Sequence, residues 1–404
     1  MIKSAIHLLM RRRHFWRYAT FSEISELYTA RLLRILAFNM ASAVTSIFLY
    51  QQGYGVLFIA LFWTSFYGLK VLLGLPLGSF VAKFGPKHSI LVSNLLFIPA
   101  LIALALSSTF GLWPLFIMLG FQALSGTLYQ IAYAVDFSKV KSVDHAGKEI
   151  AYMNIIEKVT GGLSPLIGGL LAFVLGPEPV LVITSVIFAA AAAPLFKTAE
   201  PITLNQKLSF RGFPWRLIGR TAAAEVALGF DVFTSGTVWS LFTAITIIGI
   251  ASDEIYAANG ILNSVVLLAA LAASYAYGRL IDKRRGRDLL LFAALANSIT
   301  HFMRPFIGSP VAVAGLNIAN EAATTGYSMA YTRGVFDNAD LSGRRVTYIA
   351  IHESLANVGA CIGALTLAGL VVFFGEIRAM HYFFFIAAAV VLLIATARFP
   401  LYKK

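Results

Sequence analysis

Charge is scarce in this chain. Asp, Glu, Lys and Arg together make up 13% of its 404 residues, against 58% hydrophobic residues. A soluble domain carries about 25% charged residues, so a water-soluble body of this length would lack the polar surface to cover itself. Cysteine is scarcer still. Cys361 stands alone, which excludes an internal disulfide and a Cys-based metal cluster. Its Gly and Ala neighbours mark it as a small packing residue. Catalytic signatures are missing too: there is no Gly-rich phosphate loop ending in Lys-Ser/Thr, no paired-His zinc motif and no Ser–His–Asp set in a water-accessible segment. No loop is long enough for a nucleotide-binding domain, which excludes ATP-driven transport on this chain. Neither an enzyme nor a metal or cofactor protein is expected. A secretory signal is also absent, because Arg11, Arg12 and Arg13 follow the short first apolar stretch rather than precede it.

What the chain has is a series of apolar runs of about 20 residues, the length that crosses a hydrocarbon core of about 30 Å. The runs predict twelve spans, at 31–50, 56–81, 88–107, 110–134, 149–175, 179–197, 218–248, 255–279, 288–307, 310–333, 345–374 and 379–398. Sorted against them, 28 of the 32 Lys and Arg fall on one side; Arg304 and Arg378 fall on the other, and Lys70 and Lys158 lie inside spans. That asymmetry places both termini in the cytoplasm, in a multi-pass protein of the plasma membrane. The basic residues are spread over short loops, which speaks against nucleic-acid binding. Residues 1–30 read as an amphipathic cytoplasmic segment with Phe15, Trp16 and Tyr18 at the headgroups, and Thr20 and Glu23 have capping-box spacing. The expected organisation is a first six-helix bundle at 31–197, a cytoplasmic linker at 198–217, a second bundle at 218–398 and a tail at 399–404.

The two halves repeat each other. Gly78, Lys83, Gly85 and Lys87 follow the second span, as Gly278, Asp282, Lys283, Gly286 and Arg287 follow the eighth. Gly147 through Glu157 matches Gly343 through Glu353, Tyr129 and Tyr133 recur as Tyr327 and Tyr331, and Phe38-Asn39 aligns with Phe230-Asp231. Four matches in order at nearly constant offset predict an all-α integral membrane protein of two pseudo-symmetric six-helix bundles. In such parallel-repeat transporters the substrate site lies between the halves near the midplane.

On these residues the chain resembles the major facilitator superfamily over about residues 31–398. The loops after spans two and eight are similar to that family's Gly-x-x-x-Asp-Arg/Lys-x-Gly-Arg/Lys motif, the second copy more closely. Ala82 stands where the first copy would have Asp. The resemblance implies that the Asp steadies one conformational state by facing a helix N-terminus, and leaves Asp282 alone in that part. Span four keeps Gln122 among small residues but lacks the family's frequent Arg. Span five carries Ser164, Pro165, Gly168 and Gly169, which resemble the Gly-Pro-x-x-Gly-Gly element of the family's antiporters. Tight helix packing is the competing reading of the same residues.

Ionisable groups inside apolar spans are costly and mark function or pairing. The acids are Glu157, Glu225, Asp231, Glu321 and Glu353; the bases are Lys70 and Lys158. Glu157, Glu353, Asp231, Glu321, Lys70 and Asn39 are therefore the candidates for substrate binding and proton coupling. Glu157 and Glu353, symmetry mates at mid-depth, come first. Pairing of Glu157 with Lys70 is the structural alternative, as pairing with Arg220 is for Glu225. His352 adjoins Glu353 but points about 100° away. His301 and Arg304 read as interface groups and His145 as a solvated loop residue. Tyr129, Tyr133, Tyr327, Tyr331 and Gln122 are the candidate cavity lining.

The expected function is secondary transport of a small solute by a monomer in the lipid bilayer, its two bundles rocking about a midplane site. An aromatic cavity with an acidic excess predicts proton-coupled efflux of an amphiphilic or cationic compound. The alternatives are proton-coupled uptake of a polar or anionic nutrient, with Lys70 on the anionic group, a lipid or lysolipid flippase, and a transporter-shaped sensor or scaffold.

Overall fold

The computed structural model describes the backbone of residues 21–140, 146–196, 207–249, 254–283 and 285–402, and their side chains apart from 21–27, 43, 44, 137–140 and 146–154. The N-terminal segment before residue 21, the capping box at Thr20 and Glu23, His145, the linker up to residue 206, the side chains of the repeat match at 147–152 and the last two residues of the tail lie outside the described residues.

Among the described residues, twelve long helices follow one another: α1 (Phe21–Gln51), α2 (Val56–Phe84), α3 (Pro86–Phe110), α4 (Trp113–Val140), α5 (Ala146–Leu175), α6 (Pro177–Ala192), α7 (Ala222–Ile248), α8 (Ile255–Asp282), α9 (Gly286–Met303), α10 (Pro310–Leu341), α11 (Arg345–Phe374) and α12 (Glu376–Val391). The described residues contain no strand. Ten of the helices are long and apolar enough to cross a membrane. The other two, α9 and α10, miss on composition for a physical reason. Asn297, Thr300 and His301 on α9 and Asn317 and Tyr327 on α10 are buried, so these helices turn polar side chains towards partners inside the protein.

Positive-φ glycines make the sharpest reversals. Gly85 (φ 90) closes α2 and opens α3, Gly176 (φ 89) precedes α6, and Gly375 (φ 75) separates α11 from α12. Each needs the left-handed backbone that glycine adopts without a Cβ clash. At the start of α10, Ser309 accepts a hydrogen bond from the Ala312 amide at 3.3 Å, and Pro310 follows it. Replacing an N-cap serine by alanine costs about 1 kcal/mol. Ser309→Ala should accordingly lower the thermal midpoint of the detergent-solubilised protein slightly, and Ser309→Asp should restore it. A midpoint unmoved by Ser309→Ala would mean that the cap carries no stability.

Two helices are locally irregular where they face the centre. α7 contains π turns at Thr234–Val238 and Ala244–Ile248. Thr234 and Thr246 donate to the carbonyls of Phe230 and Phe242, and such hydroxyl bonds compete with the helix ladder. α8 breaks at residues 265–266, between Ser264 and Leu267.

The halves meet at both ends. At one end, Glu376 of α12 accepts from the Val56 amide at 2.8 Å and from Tyr50 Oη at 3.1 Å, so an acid from one half caps α2 in the other. Tyr256 Oη donates to Gln51 Oε1 at 2.5 Å. A Cβ on Gly169 of α5 would stand 2.3 Å from the Tyr256 carbonyl oxygen, and one on Gly260 would stand 2.5 Å from that of Pro165. At the opposite end α2 lies on α11, where a Cβ on Gly78 would stand 2.8 Å from that of Ala350. The described part of the linker packs here as well: Arg344 donates to the Ser209 carbonyl at 2.9 Å and to its hydroxyl at 2.7 Å.

Candidate functional site

A cavity of about 670 Å³ opens between the halves. From the first half it is lined by the aromatic rings of Phe38, Trp63, Phe66, Tyr67, Phe97 and Tyr129 and by the cations Arg31, Arg34, Lys70 and Lys158. From the second half it is lined by hydroxyls and amides on the irregular parts of α7 and α8, among them Ser235, Thr237, Ser240, Thr243, Asn259 and Asn263. Asn39, Gln122, Glu157, Asn317 and Glu321 line it too. A space of this size, mostly apolar with a few converging polar groups, is of the kind that takes a small organic molecule.

Arg31 and Arg34 were missed by the sequence reading, which counted them with the cytoplasmic basic residues. One turn apart on α1, both point into the bundle. Arg31 Nε meets Glu157 Oε1 at 2.9 Å, and its NH1 donates to Tyr129 Oη at 2.8 Å. Tyr133 Oη donates to the same Glu157 oxygen at 2.9 Å. Arg34 is buried and, among the described residues, has no carboxylate as a hydrogen-bond partner. Its NH1 donates to Asn94 Oδ1 at 2.6 Å and Ser93 Oγ at 3.4 Å, and its NH2 to Ser125 Oγ at 3.3 Å. The guanidinium lies 3.7 Å from the centre of the Tyr129 ring, a cation–π contact that leaves its charge unneutralised.

The second half builds a related cluster around a buried acid. Asp231, 2% exposed, faces His301 Nε2 at 2.6 Å, accepts from Asn297 Nδ2 at 3.0 Å and from Ser235 Oγ at 3.2 Å, and takes the Tyr327 hydroxyl. Arg304 NH2 donates to Ser235 Oγ and Asn320 Oδ1, each at 3.2 Å, and the guanidinium sits 4.9 Å from the Trp239 ring centre. Its Nε and NH1 are buried without a partner. His301 and Arg304 are thus core groups, 0% and 1% exposed, and not interface groups. Their signal was in the sequence: Asn297, Thr300, His301 and Arg304 fall at helical spacing on one face of α9. Asp231 is not a lining residue, although Ser235, one turn on, is.

Lys70 pairs with Glu353 at 3.2 Å and not with Glu157, because α2 packs along α11 and away from α5. Asn357 Nδ2 holds the same Glu353 oxygen at 3.0 Å. Lys158 pairs with Glu321 at 2.6 Å, and Thr325 adds a hydrogen bond to that carboxylate at 3.0 Å. Both pairs join one half to the other. Glu225 takes His352 and not Arg220, while the neighbouring Glu353 faces α2, as a 100° step per residue requires. Every one of the five intramembrane acids therefore has a basic partner. With Arg31, Arg34 and Arg304 added to Lys70 and Lys158, five permanent cations stand against these five acids, so the named groups carry no acidic excess.

The remaining candidates lie in helix contacts, at the cavity wall and in the loops. Gly168 approaches the backbone of Met40, where an added Cβ would stand 2.9 Å from its carbonyl oxygen. Ser164 bonds back to the Thr160 carbonyl at 2.5 Å. Asn39 bonds the Ile35 carbonyl at 3.0 Å, and Tyr331 that of Thr221 at 3.2 Å. Gln122 Oε1 is buried at the cavity with no hydrogen-bond partner. Near the chain ends, Lys83 lies 5.1 Å from the Phe84 ring centre, Gly278 is buried, Gly286 packs on Tyr402, Arg287 donates to the Ala397 carbonyl and Lys283 follows α8. Asp282 Oδ2 is buried without a hydrogen-bond partner among the described residues.

Known proteins place this architecture. No curated protein matches the chain in sequence. Among solved structures, the Escherichia coli fucose:proton symporter FucP superposes with a TM-score of 0.67 at 15% identity, over 95% of this chain and 98% of that one. The human organic anion transporter MFSD10 (TETRAN) gives 0.67 at 15% identity, over 92% and 98%. FucP in an outward conformation gives 0.65 at 14% identity, over 92% and 97%. At such identities the likeness is one of fold. The family model of the Major Facilitator Superfamily matches residues 27–253, more than half of the chain, and this protein belongs to that family.

Proposed function

We propose that this protein is a secondary transporter of an organic anion, working by alternating access about the central cavity, in a plasma membrane with both termini in the cytoplasm. One observation carries the reading: Arg34 is a buried cation on the cavity wall that, among the described residues, has no carboxylate as a hydrogen-bond partner. A cation held by neutral amide and hydroxyl oxygens keeps its charge for a ligand, and a planar guanidinium suits carboxylate, sulfonate or phosphate. The aromatic wall accepts an apolar body beside that group. Proton-coupled efflux of an amphiphilic or cationic compound, the first expectation from sequence, rested on an aromatic cavity with an acidic excess. The lining instead holds Arg31, Arg34, Lys70 and Lys158 against Glu157 and Glu321, which favours the anionic alternative.

The test is thermal stabilisation of purified protein by aromatic and aliphatic carboxylates, sulfonates, lipophilic cations, neutral sugars and lysolipids. Anions should stabilise the parent. Arg34→Gln should weaken their binding about 30-fold or more, the equivalent of about 2 kcal/mol, with helix content and monodispersity retained. Arg34→Lys should fall between. Stabilisation by lipophilic cations alone, unchanged in Arg34→Gln, would overturn the reading.

A further inference from the structure

The cavity wall includes an ion pair whose two members belong to different halves. Lys158 Nζ on α5 lies 2.6 Å from Glu321 Oε1 on α10, and both residues line the cavity. The helices that carry them touch little elsewhere. The other cross-half pair, Lys70–Glu353, is set in the long seam between α2 and α11, where Gly74 and Gly78 let the helices close up. Breaking Lys158–Glu321 therefore unpacks no seam, and whatever breaks it acts at the surface the substrate touches.

Glu321 has a defined neighbourhood. From α5 it faces Lys158, beside which Glu157 is already held by Arg31 of α1. On its own helix it takes Thr325 and is electrostatically coupled to Tyr327, which in turn binds Asp231 among His301 and Arg304. From α8 the cavity wall carries only the neutral Asn259, Leu262, Asn263, Val266, Leu267 and Ala270. Lys158 is the single cation in contact with Glu321 among the described residues.

We propose that Glu321 is the proton-binding group of the transport cycle and Lys158 a second anion-binding group, so that one proton travels with each monoanion. This rests on the organic-anion reading. While Glu321 is ionised, it holds Lys158. A proton taken from water onto the Glu321 carboxylate removes that hold, and the ammonium turns to the substrate anion beside Arg34. Releasing the anion lets Lys158 return to Glu321 and expel the proton, so occupancy of the two ligands rises and falls together. The charges agree. Among the described residues the empty cavity has Arg34 as its one unmatched cation, since Arg31 has Glu157, Lys70 has Glu353 and Lys158 has Glu321. Adding one proton and one monoanion leaves that net charge unchanged, so the loaded and empty carriers cross the membrane with equal electrical work.

Benzoate and gluconate, which stay ionised between pH 6 and pH 8, are the probes. The parent should bind them about tenfold more tightly at pH 6 than at pH 8. Glu321→Gln, which mimics the protonated acid, should bind at both pH values as tightly as the parent does at pH 6. In proteoliposomes it should keep anion exchange and lose accumulation driven by an imposed proton gradient. Lys158→Gln should bind weakly at both pH values. A Glu321→Gln protein that keeps the parent's pH dependence, or still accumulates anion on a proton gradient, overturns the coupling role. That result leaves the anion reading standing wherever Arg34→Gln still weakens binding. Failure of the parent to bind either probe, or binding indifferent to Arg34→Gln, overturns both.

Discussion

Gly229→Val is expected to give no monodisperse protein, and Gly229→Ala a protein destabilised by more than about 3 kcal/mol, beyond the usual cost of overpacking. α7 and α11 cross with their backbones in contact. A Cβ on Gly229 would lie 1.7 Å from the Ala356 carbonyl oxygen and 2.6 Å from its carbon; one on Gly359 would lie 1.8 Å from the Val226 carbonyl oxygen. These are backbone atoms, so no side chain can swing away, and the helices themselves must separate. That seam sets the height at which α11 presents His352 to Glu225 and Glu353 to Lys70, so separating the helices also strips two ion pairs of their geometry. Gly236 is the control. It lies on the same helix with nothing within 4 Å of an added Cβ, and Gly236→Ala should leave the thermal midpoint nearly unchanged. Gly229→Ala and Gly359→Ala should also be less than additive, because the first substitution opens the gap that the second needs. Fluorescence-detected gel filtration and thermal unfolding read all of this. A well-folded Gly229→Val protein would mean that the two helices are not in backbone contact.

The membrane-spanning pattern was legible because its signal is long and local. The span expected at 345–374 coincides with α11, and the run at 56–81 falls within α2. The repeat was legible for the same reason, since Glu157 and Glu353 sit at one offset in two copies of one segment. Partner choice was not legible. Depth along a helix shows which charges share a level, and on depth alone Lys70 suits Glu157 as well as Glu353. Only the packing of α2 on α11 decides between them. Arg31 and Arg34 illustrate the same limit. At the edge of an apolar run an arginine is an anchor if lipid headgroups surround it and a site if other helices do. Ser93, Asn94, Ser125 and Tyr129, which close around Arg34, come from two helices some 60 to 95 positions away. Leaving those two cations outside the spans is what made the acids there outnumber the bases, and the expectation of a cationic substrate rested on that excess.

Removal of the Asp231 carboxylate should be the most damaging single change in the second half outside the helix seam. Asp231→Ala would leave Arg304 and His301 buried with no anion beside them, and breaking a buried pair from one side costs about 3–5 kcal/mol. Arg304 cannot relax outwards: it is 1% exposed, two of its nitrogens already lack partners, and Trp239 and Phe384 lie beside it. Asp231→Asn should cost less, since the amide keeps an oxygen for Asn297 while losing the charge that faces His301. A double-mutant cycle separates a charge effect from a packing effect. Arg304→Met, neutral and of similar length, should recover a large part of the stability lost in Asp231→Asn, because the stranded cation is gone. Neither change should alter the pH dependence of anion binding, for Asp231 lies behind Ser235 and outside the cavity lining. Asp231→Asn that unfolds at the parental temperature yet has lost the pH response would place proton coupling at Asp231 and remove it from Glu321. Thermal unfolding of the four proteins of the cycle, each with and without benzoate at pH 6 and pH 8, therefore decides which buried acid shapes the protein and which one works in it.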